Sequence, residues 1–556
     1  MEPCIILPEP GKRNILVTSA LPYVNNYPHL GNIVGSVLSA DVFARQTSTQ
    51  QQTDIAQEIF LKLNGNGLLE ERTTIQPYCE KHSAFLADRY VEGTCPHCQY
   101  VDARGDQCDS CGKLLDPLEL LKPRCKLDNA GPVPRETRHL FLLLDKLQDR
   151  IQQWNHTASK KGAWSSNGVA ITDNWLREGL KGRSITRDLK WGTKVPLPGY
   201  EEKCLYSWFD ACIGYISITA NYTDQWRQWW YNPEHVQLYQ FMGKDNVPFH
   251  TVIFPGSQIG SGEKWTKLHH LSTTEYLNYE NGKFSKSRNI GVFGTNAKET
   301  GITSDIWRYY LLSRRPENGD TEFEWKAFID ANNNELLKNL GNFVNRLIKF
   351  VNANFASIIP NYTEYTDPAL DDWSRDVDRL LVQYISELEA VKIKAGLSTI
   401  LRISSLGNKL LQTNTLNNQL ALDYPKQCAT VIGLGINLIH LLGQVLHPYM
   451  PTTGESILRQ LNIDKPVVIP DRWNPALIPI GHKINNAEYL FTQIKPEKEK
   501  EWREQFGGGQ ARLQREEKAS KAAARKADKL RKKATSSENQ GIDTVASSLS
   551  QVSLET

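Results

Sequence analysis

The hydrophobic positions change period along the chain. Ile15-Leu16-Val17-Thr18-Ser19 has the apolar, β-branched composition of a strand, whereas Ile33, Val37, Leu38 and Val42 recur at helical spacing between Ile33 and Arg45. This predicts an α/β nucleotide-type fold with His29 on the strand-to-helix loop, where doubly wound sheets bind their ligands. Asn281-Gly282 is a type I′ hairpin signal that places Lys283 and Lys286 on a short exposed loop able to close over phosphates. Trp307 to Leu312 reads as a helical connector. After it, Leu336, Leu340, Phe343, Leu347 and Val351 have the spacing of a helical bundle, and leucine-rich helices continue to Leu458. Gly507-Gly508-Gly509 predicts a hinge, the Ala/Lys/Arg-rich stretch beyond it a solvated helix, and the Ser/Gln/Glu composition from Thr535 disorder. No internal repeat is seen.

Composition narrows the picture. With 556 residues, 23% of them charged, the chain has room for several globular domains. No stretch approaches the roughly 20 apolar residues of a membrane span, so no membrane partner is expected. The segment Met1 to Pro8 lacks a basic n-region and is not an Arg-rich transit peptide, so the expected location is cytoplasmic. Net charge is +3, but Ala511 to Lys533 holds ten Lys/Arg against three acidic residues, which leaves the remainder at −4. Such a tail can attach electrostatically to phosphates, or simply be solvated; the body is not a uniformly basic nucleic-acid surface.

Six of the ten cysteines fall between Cys79 and Cys125, a pattern that in a reducing compartment favours metal over disulfides. Cys95-x-x-Cys98 and Cys108-x-x-Cys111 make a complete four-thiolate set for tetrahedral Zn2+, a structural site with no vacancy for water. Cys79-x-x-His82 and Cys125-x-x-Asp128 look like a second pair of knuckles in which two thiolates have become imidazole and carboxylate, a weaker site.

The chemistry-bearing motifs are His29-Leu30-Gly31-Asn32, Trp208-Phe209-Asp210-Ala211 with Ile213-Gly214-Tyr215, Gly243-Lys244-Asp245-Asn246 with Phe249-His250, and Lys283-Phe284-Ser285-Lys286-Ser287. In this order they resemble the class I aminoacyl-tRNA synthetases, and within that class the methionyl-tRNA synthetases, over residues 12 to 490. The resemblance implies a Rossmann-like catalytic domain with a zinc-knuckle connective insertion, followed by an α-helical anticodon-binding bundle. It implies a methionine-tRNA ligase that uses ATP, Mg2+ and Zn2+, with L-methionine and tRNA(Met) as substrates and other synthetase-complex proteins as further partners. Expected boundaries are 12–66 and 205–276 for the two catalytic parts, 67–204 for the insertion, 277–339 for the lysine loop and stem contact, 340–506 for the bundle and 507–556 for the tail.

Carboxylate activation develops charge on the α-phosphate and on departing pyrophosphate, so it needs pre-placed donors and cations rather than a nucleophile. His29 and Asn32 beside the helix N-terminus, with Lys283 and Lys286, are the expected catalytic groups; Gly31, Ser285 and Ser287 complete the ATP site. Tyr23, Trp208, Tyr215, Phe249 and His250 are expected to wall a thioether, with Leu21 and Ala211 adding shape and Tyr215 or His250 donating to the sulfur. Cys212 is expected to be packing. Asn342 and Arg346, four apart, share a helix face and match anticodon-reading positions of the family; Trp473 is expected to stack on an anticodon base. Each residue taken alone also fits an ordinary role: a loop histidine, a solvated lysine turn, core aromatics or an exposed helix face.

One departure stands out. After Ala44-Arg45 the family continues through a strand bearing an aspartate that holds the methionine ammonium, yet this chain passes to Gln46-Thr47-Ser48-Thr49-Gln50. Loss of that segment is expected to leave an exposed sheet edge and a weakened pocket. The rival reading is therefore a catalytically impaired tRNA-binding variant. A leucyl or cysteinyl enzyme is disfavoured by the Trp208 to Tyr215 stretch and by the lack of a large editing insertion.

Overall fold

The computed structural model describes residues 5–20, 29–34, 50–87, 90–105, 108, 115–189, 191–284, 290–464 and 466–507, without the side chains of 207 and 208. The described residues divide into two units, one within 1–24, 32–276 and 316–320, the other within 25–31, 277–315 and 321–556. Leu21, Tyr23, Ser285, Lys286, Ser287, Cys111 and the basic tail lie outside the described residues.

The first unit holds a parallel sheet of β1 (Asn14–Ser19), β2 (Val236–Gly243) and β3 (Leu268–Thr274) in the order β1-β2-β3. The strand expected at Ile15 to Ser19 is thus present. β2 and β3 are buried over almost their whole length, β2 with mostly apolar residues and β3 with two leucines among His, Ser and Thr. β1 is only half-buried, with Ile15 38% exposed, and among the described residues no strand pairs with its outer side. Among the described residues this agrees with the open edge expected from the departure after Arg45.

Around the sheet pack α1 (Gln50–Gly65), α2 (Leu144–Lys161), α3 (Ser166–Arg177), α4 (Ser207–Tyr222) and α5 (Phe254–Ser261). Ile55, Ile59, Phe60 and Leu63 form one buried stripe on α1. A Cβ at Gly260 of α5 would lie 2.6 Å from Leu63, so glycine sets how closely these helices approach. The insertion leaves this core as a long antiparallel pair, Leu69–Cys79 with Val133–Leu142, in register from Leu69 against Leu142 to Tyr78 against Val133. Between Cys79 and Cys125 lies a small separate core in which Leu86, Val91, Ala103 and Leu120 pack with four cysteines.

In the second unit, β4 (Leu277–Tyr279) pairs in parallel with β5 (Thr321–Phe323). The tight turn after β4 differs by one residue from its expected position. Tyr279 and Gly282 exchange both backbone hydrogen bonds, and the two left-handed residues are Glu280 (φ 48°) and Asn281 (φ 65°). The Glu280 carboxylate explains the shift, since it accepts from the Trp325 backbone N–H at 2.9 Å and pairs with Arg503.

The helices of this unit are α6 (Ser304–Ser313), α7 (Trp325–Asp330), α8 (Asn342–Asn354), α9 (Pro368–Glu389), α10 (Ile393–Thr413), α11 (Pro425–Leu446), α12 (Pro451–Gln460) and α13 (Glu497–Phe506). Wider π-type turns from Ala331 to Gly341 join α7 to α8 without a break, so the boundary drawn at 339/340 falls inside one continuous helix. Pro starts α9, α11 and α12, where its missing N–H is no loss, and Asp367 caps α9 through Ala369 N–H at 2.8 Å. Contrary to the sequence expectation, α11 is long and apolar enough to cross a membrane. It is instead the buried centre of the bundle, with 89% of its apolar window covered.

Candidate functional site

Two of the sequence motifs meet in the second unit. The His29 imidazole stacks on Phe284, with centroids 4.7 Å apart and planes 6° from parallel. Gly31 N–H donates to His29 Nδ1 at 3.1 Å, which makes Nδ1 an acceptor and assigns the proton of the neutral ring to Nε2, the kind of donor a phosphate oxygen takes. Gly31 is required sterically, because a Cβ there would sit 2.9 Å from the ring. A second glycine, missed by sequence reasoning, holds the other ring. Gly291 has φ 110°, and a Cβ on it would lie 2.2 Å from Phe284. Its only signal was an isolated glycine a few residues beyond the lysine motif. Lys283 is exposed, and Asn32 is half-buried on a single helical turn.

In the first unit, Tyr215 on α4 and His250 face one another, with Tyr215 Oη 2.8 Å from His250 Nε2 and His250 Nδ1 2.7 Å from the Asn246 carbonyl. A carbonyl only accepts, so Nδ1 carries the proton and the Tyr215 hydroxyl donates to Nε2. Burial pushes His250 down to about 4, which keeps it neutral. Both protons of the pair are committed to each other and to the backbone. The expectation that one of them donates to a thioether therefore requires Tyr215 to exchange His250 for the sulfur.

Phe249 is half-buried and borders a recess of about 810 Å3 walled also by Tyr206, Phe209 and Trp175. Arg187 lies over the Tyr206 ring at 3.7 Å and Arg183 over Trp175 at 4.8 Å, so the recess offers aromatic faces and guanidinium charge together. Ala211 is half-buried on α4, and Cys212 is buried with its thiol pushed up to about 12 by burial, as inert packing should be. Asp210 points its carboxylate to Gln52 (2.8 Å) and Thr193 (3.2 Å). It lies roughly 100° around α4 from Ala211 and roughly 140° from Tyr215, on another face of the helix. Asp210 thereby ties α4 to α1.

A half-buried charge network that the sequence did not announce supports this region. Asp188 Oδ2 lies 3.1 Å from His139 Nε2 and accepts from Thr137 Oγ1 at 2.8 Å; Lys203 pairs with the other oxygen. Burial alone would raise the Asp188 carboxyl, but the contact with His139 and the hydrogen bonds from Lys203 and Thr137 outweigh it and bring it to about 2.

The described members of both cysteine clusters assemble. Cys95, Cys98 and Cys108 bring their sulfurs within 4.8 Å of one another, with Cys98 and Cys108 3.6 Å apart, close to the edge of a tetrahedron with Zn–S of about 2.3 Å. Burial raises the Cys95 thiol, but backbone N–H groups of Cys98 and His97 and the adjacent thiols overcome it and lower it to about 7. Cys79, His82, Cys125 and Asp128 also converge within 4.8 Å, with Cys79 Sγ 3.2 Å from His82 Nδ1 and 3.5 Å from Asp128 Oδ2. The same backbone device recurs at three knuckles. The residue four after the first cysteine, Ser83 (φ 49°), Gln99 (φ 59°) and Asn129 (φ 59°), is left-handed each time. Sulfur, imidazole and carboxylate donors so arranged fit Zn2+, and so small a core gains from a metal staple.

On α8, Asn342 and Arg346 are both exposed on one face; Asn342 Nδ2 donates to Asn408 Oδ1 (3.5 Å) and Arg346 to the Leu416 carbonyl (3.3 Å). Trp473 differs from expectation. It is 8% exposed and packs edge-on against Trp373 at 5.4 Å, so its faces are not offered to a base in this arrangement.

Comparison with known proteins adds the family. The model for tRNA synthetases class I (M) matches residues 15–48 and 45–348, two blocks that meet where the sequence departs from the family after Arg45. The model for the anticodon binding domain of methionyl tRNA ligase matches residues 359–511. The cytoplasmic methionine–tRNA ligase of Saccharomyces cerevisiae is 51% identical over 564 residues, covering 91% of this chain and 75% of the relative. A probable cytoplasmic methionine–tRNA ligase of Schizosaccharomyces pombe is 52% identical, covering 90% and 72%. Among solved structures, Mycobacterium tuberculosis methionyl-tRNA synthetase bound by methionyl-adenylate superposes with a TM-score of 0.68 at 16% identity, covering 86% of this chain and 100% of that one, which establishes the likeness of fold.

Proposed function

The chain belongs to the methionyl-tRNA synthetases of class I, and from that premise we propose which of its residues carry each step of methionine–tRNA ligation. The methionine carboxylate attacks the α-phosphorus of ATP, forming methionyl-AMP and releasing pyrophosphate. The terminal ribose hydroxyl of tRNA(Met) then attacks the methionyl carbonyl and AMP leaves. Like the yeast relatives, the protein is a cytoplasmic form.

The observation that carries the proposal is the His29 ring, its proton directed to Nε2 by Gly31 N–H and its plane fixed by Phe284. A donor held in place before charge develops stabilises the transition state without reorganising. Asn32 and Gly31 supply the remaining contacts of the first signature. Lys283 and Lys286 act as mobile cations on the outer phosphates, with Ser285 and Ser287 beside them. Mg2+ is expected with the ATP, as a counter-ion of its phosphates.

Methionine is taken between Phe249, Tyr215, His250 and Ala211, with Trp208, Leu21 and Tyr23 as further walls. The neutral Tyr215–His250 pair supports this, because Tyr215 can exchange His250 for a thioether sulfur, which a side chain without an acceptor could not use. Cys95, Cys98, Cys108 and Cys111, and Cys79, His82, Cys125 and Asp128, would hold Zn2+, which would fasten the insertion and supply no chemistry to the reaction. Asn342 and Arg346 read the anticodon. The ligase reading is preferred to an impaired binding variant because the relatives align over nine-tenths of the chain, on both sides of the break. His29→Asn tests the central role: methionine-dependent ATP–pyrophosphate exchange should fall at least about a hundredfold while methionine binding is retained, and loss of both in parallel would contradict it.

A further inference from the structure

An extended segment from His482 to Lys495 is strapped along the helix that contains α8. Asn352 accepts from Ala487 N–H (3.0 Å) and donates to the Asn485 carbonyl (3.1 Å). Further on, Asn333 accepts from Ile494 N–H (2.9 Å) and donates to its carbonyl (2.8 Å), and Asn332 donates to the Thr492 carbonyl (2.9 Å). Between the straps, Phe491 is buried against Gly341, where a Cβ would lie 3.2 Å from the ring. Tyr489, two residues earlier, is 70% exposed. A large aromatic side chain left in water on a backbone anchored from both sides is a pre-organised platform rather than a loose loop tip.

Tyr489 lines a recess of about 380 Å3 with Leu337, Lys338, Gly341, Asn342 and Asn345. Lys338, Asn342, Asn345 and Lys349 follow one another at spacings of four, three and four, so they form one helix face. Lys349 Nζ lies 2.9 Å from the Tyr489 hydroxyl and 4.4 Å from the ring centroid. Asn345 Oδ1 is buried and has no hydrogen-bond partner. The neighbouring Glu488 is taken up by Arg459 at 3.0 Å. The recess thus combines an exposed ring, two ammonium groups and an acceptor in want of a donor.

We infer that this recess seats one unstacked base of the anticodon loop that carries an exocyclic amino group, with Tyr489 as its stacking platform, Asn345 as acceptor for the amino group, and Lys338 and Lys349 on the flanking phosphates. Stacking needs a π-face, and a buried carbonyl oxygen selects a base that can donate to it. The inference rests on the anticodon reading of Asn342 and Arg346, to which it adds Tyr489 and Asn345.

The test is binding of an anticodon stem-loop RNA bearing CAU to the full chain and its variants. Tyr489→Ala should weaken binding about tenfold or more, and Tyr489→Phe should stay near the parent, because the ring face rather than the hydroxyl does the work. Purine in place of adenine, or 2-pyrimidinone in place of cytosine, should weaken binding to the parent at one loop position, and Asn345→Leu should abolish that discrimination. Methionine-dependent pyrophosphate exchange in the Tyr489 and Asn345 variants reports that they are folded. If Tyr489→Ala binds like the parent while Arg346→Ala is weakened, the seat is wrong and the anticodon reading stands. If Tyr489→Phe loses as much as Tyr489→Ala, stacking is overturned. If neither Arg346→Ala nor a changed anticodon alters binding, the underlying reading falls.

Discussion

The buried Tyr215–His250 pair makes a quantitative prediction about pH. Burial brings His250 down to about 4 in the folded protein, against 6.5 for the ordinary side chain. Between these values the unfolded chain binds a proton that the folded one refuses, so stability is fully present above the ordinary value and is lost as pH falls toward 4. The full difference corresponds to about 3 kcal/mol, and about 2 kcal/mol should already be lost between pH 8 and pH 5. Other groups titrate in the same window, so the measurement is a difference. Urea unfolding of the parent and of His250→Gln, followed by tryptophan fluorescence, should show the variant losing about 2 kcal/mol less over that range. Protonation would also remove the lone pair that accepts from Tyr215, so the KM for methionine should rise in the parent over the same interval. Equal pH dependence in the two proteins would refute the neutral, buried state of His250 and the hydrogen-bond directions derived from it.

The remaining predictions concern separate parts of the molecule. Gly291→Ala should destabilise the protein by about 1 to 3 kcal/mol in denaturant unfolding, since it puts a Cβ into Phe284 at a left-handed position; a neutral result would show that Phe284 can leave His29 freely. Cys95→Ser should lower the zinc content found by metal analysis while stem-loop affinity persists, because the knuckles and the bundle are different cores; unchanged zinc would contradict the ligand set. Lys286→Ala should cut methionine-dependent pyrophosphate exchange far more than it weakens methionine binding, and equal effects would remove its transition-state role.

The local signals in the chain were legible and the long-range ones were not. β1 follows from local composition and the stripe through α8 from period, and the knuckles follow from cysteine spacing because the turn that makes each one is completed within five residues. The turn after β4 moved by one residue because Glu280 is held by Trp325 and Arg503, contacts that a dipeptide rule cannot include. Trp473 is not free to stack on a base as expected, because its cover, Trp373, lies far away in sequence on α9. The same distance hid the stack of His29 on Phe284 and the Asp188 network. α11 escaped notice as an apolar span because its glycines and polar residues interrupt a run that burial makes continuous.

The central claim is that this chain ligates methionine to tRNA despite the departure after Arg45, and methionine-dependent exchange of radiolabelled pyrophosphate into ATP tests it most directly. Exchange should depend on methionine and not on leucine, should be followed by charging of tRNA with a CAU anticodon, and should show a lower KM for methionine once the segment bearing the family's aspartate is restored, because an ammonium without an acidic partner is costly to bury. No methionine-dependent exchange from the chain as it stands, with full activity in the restored chain, would contradict the claim and leave a tRNA-binding protein in place of a ligase.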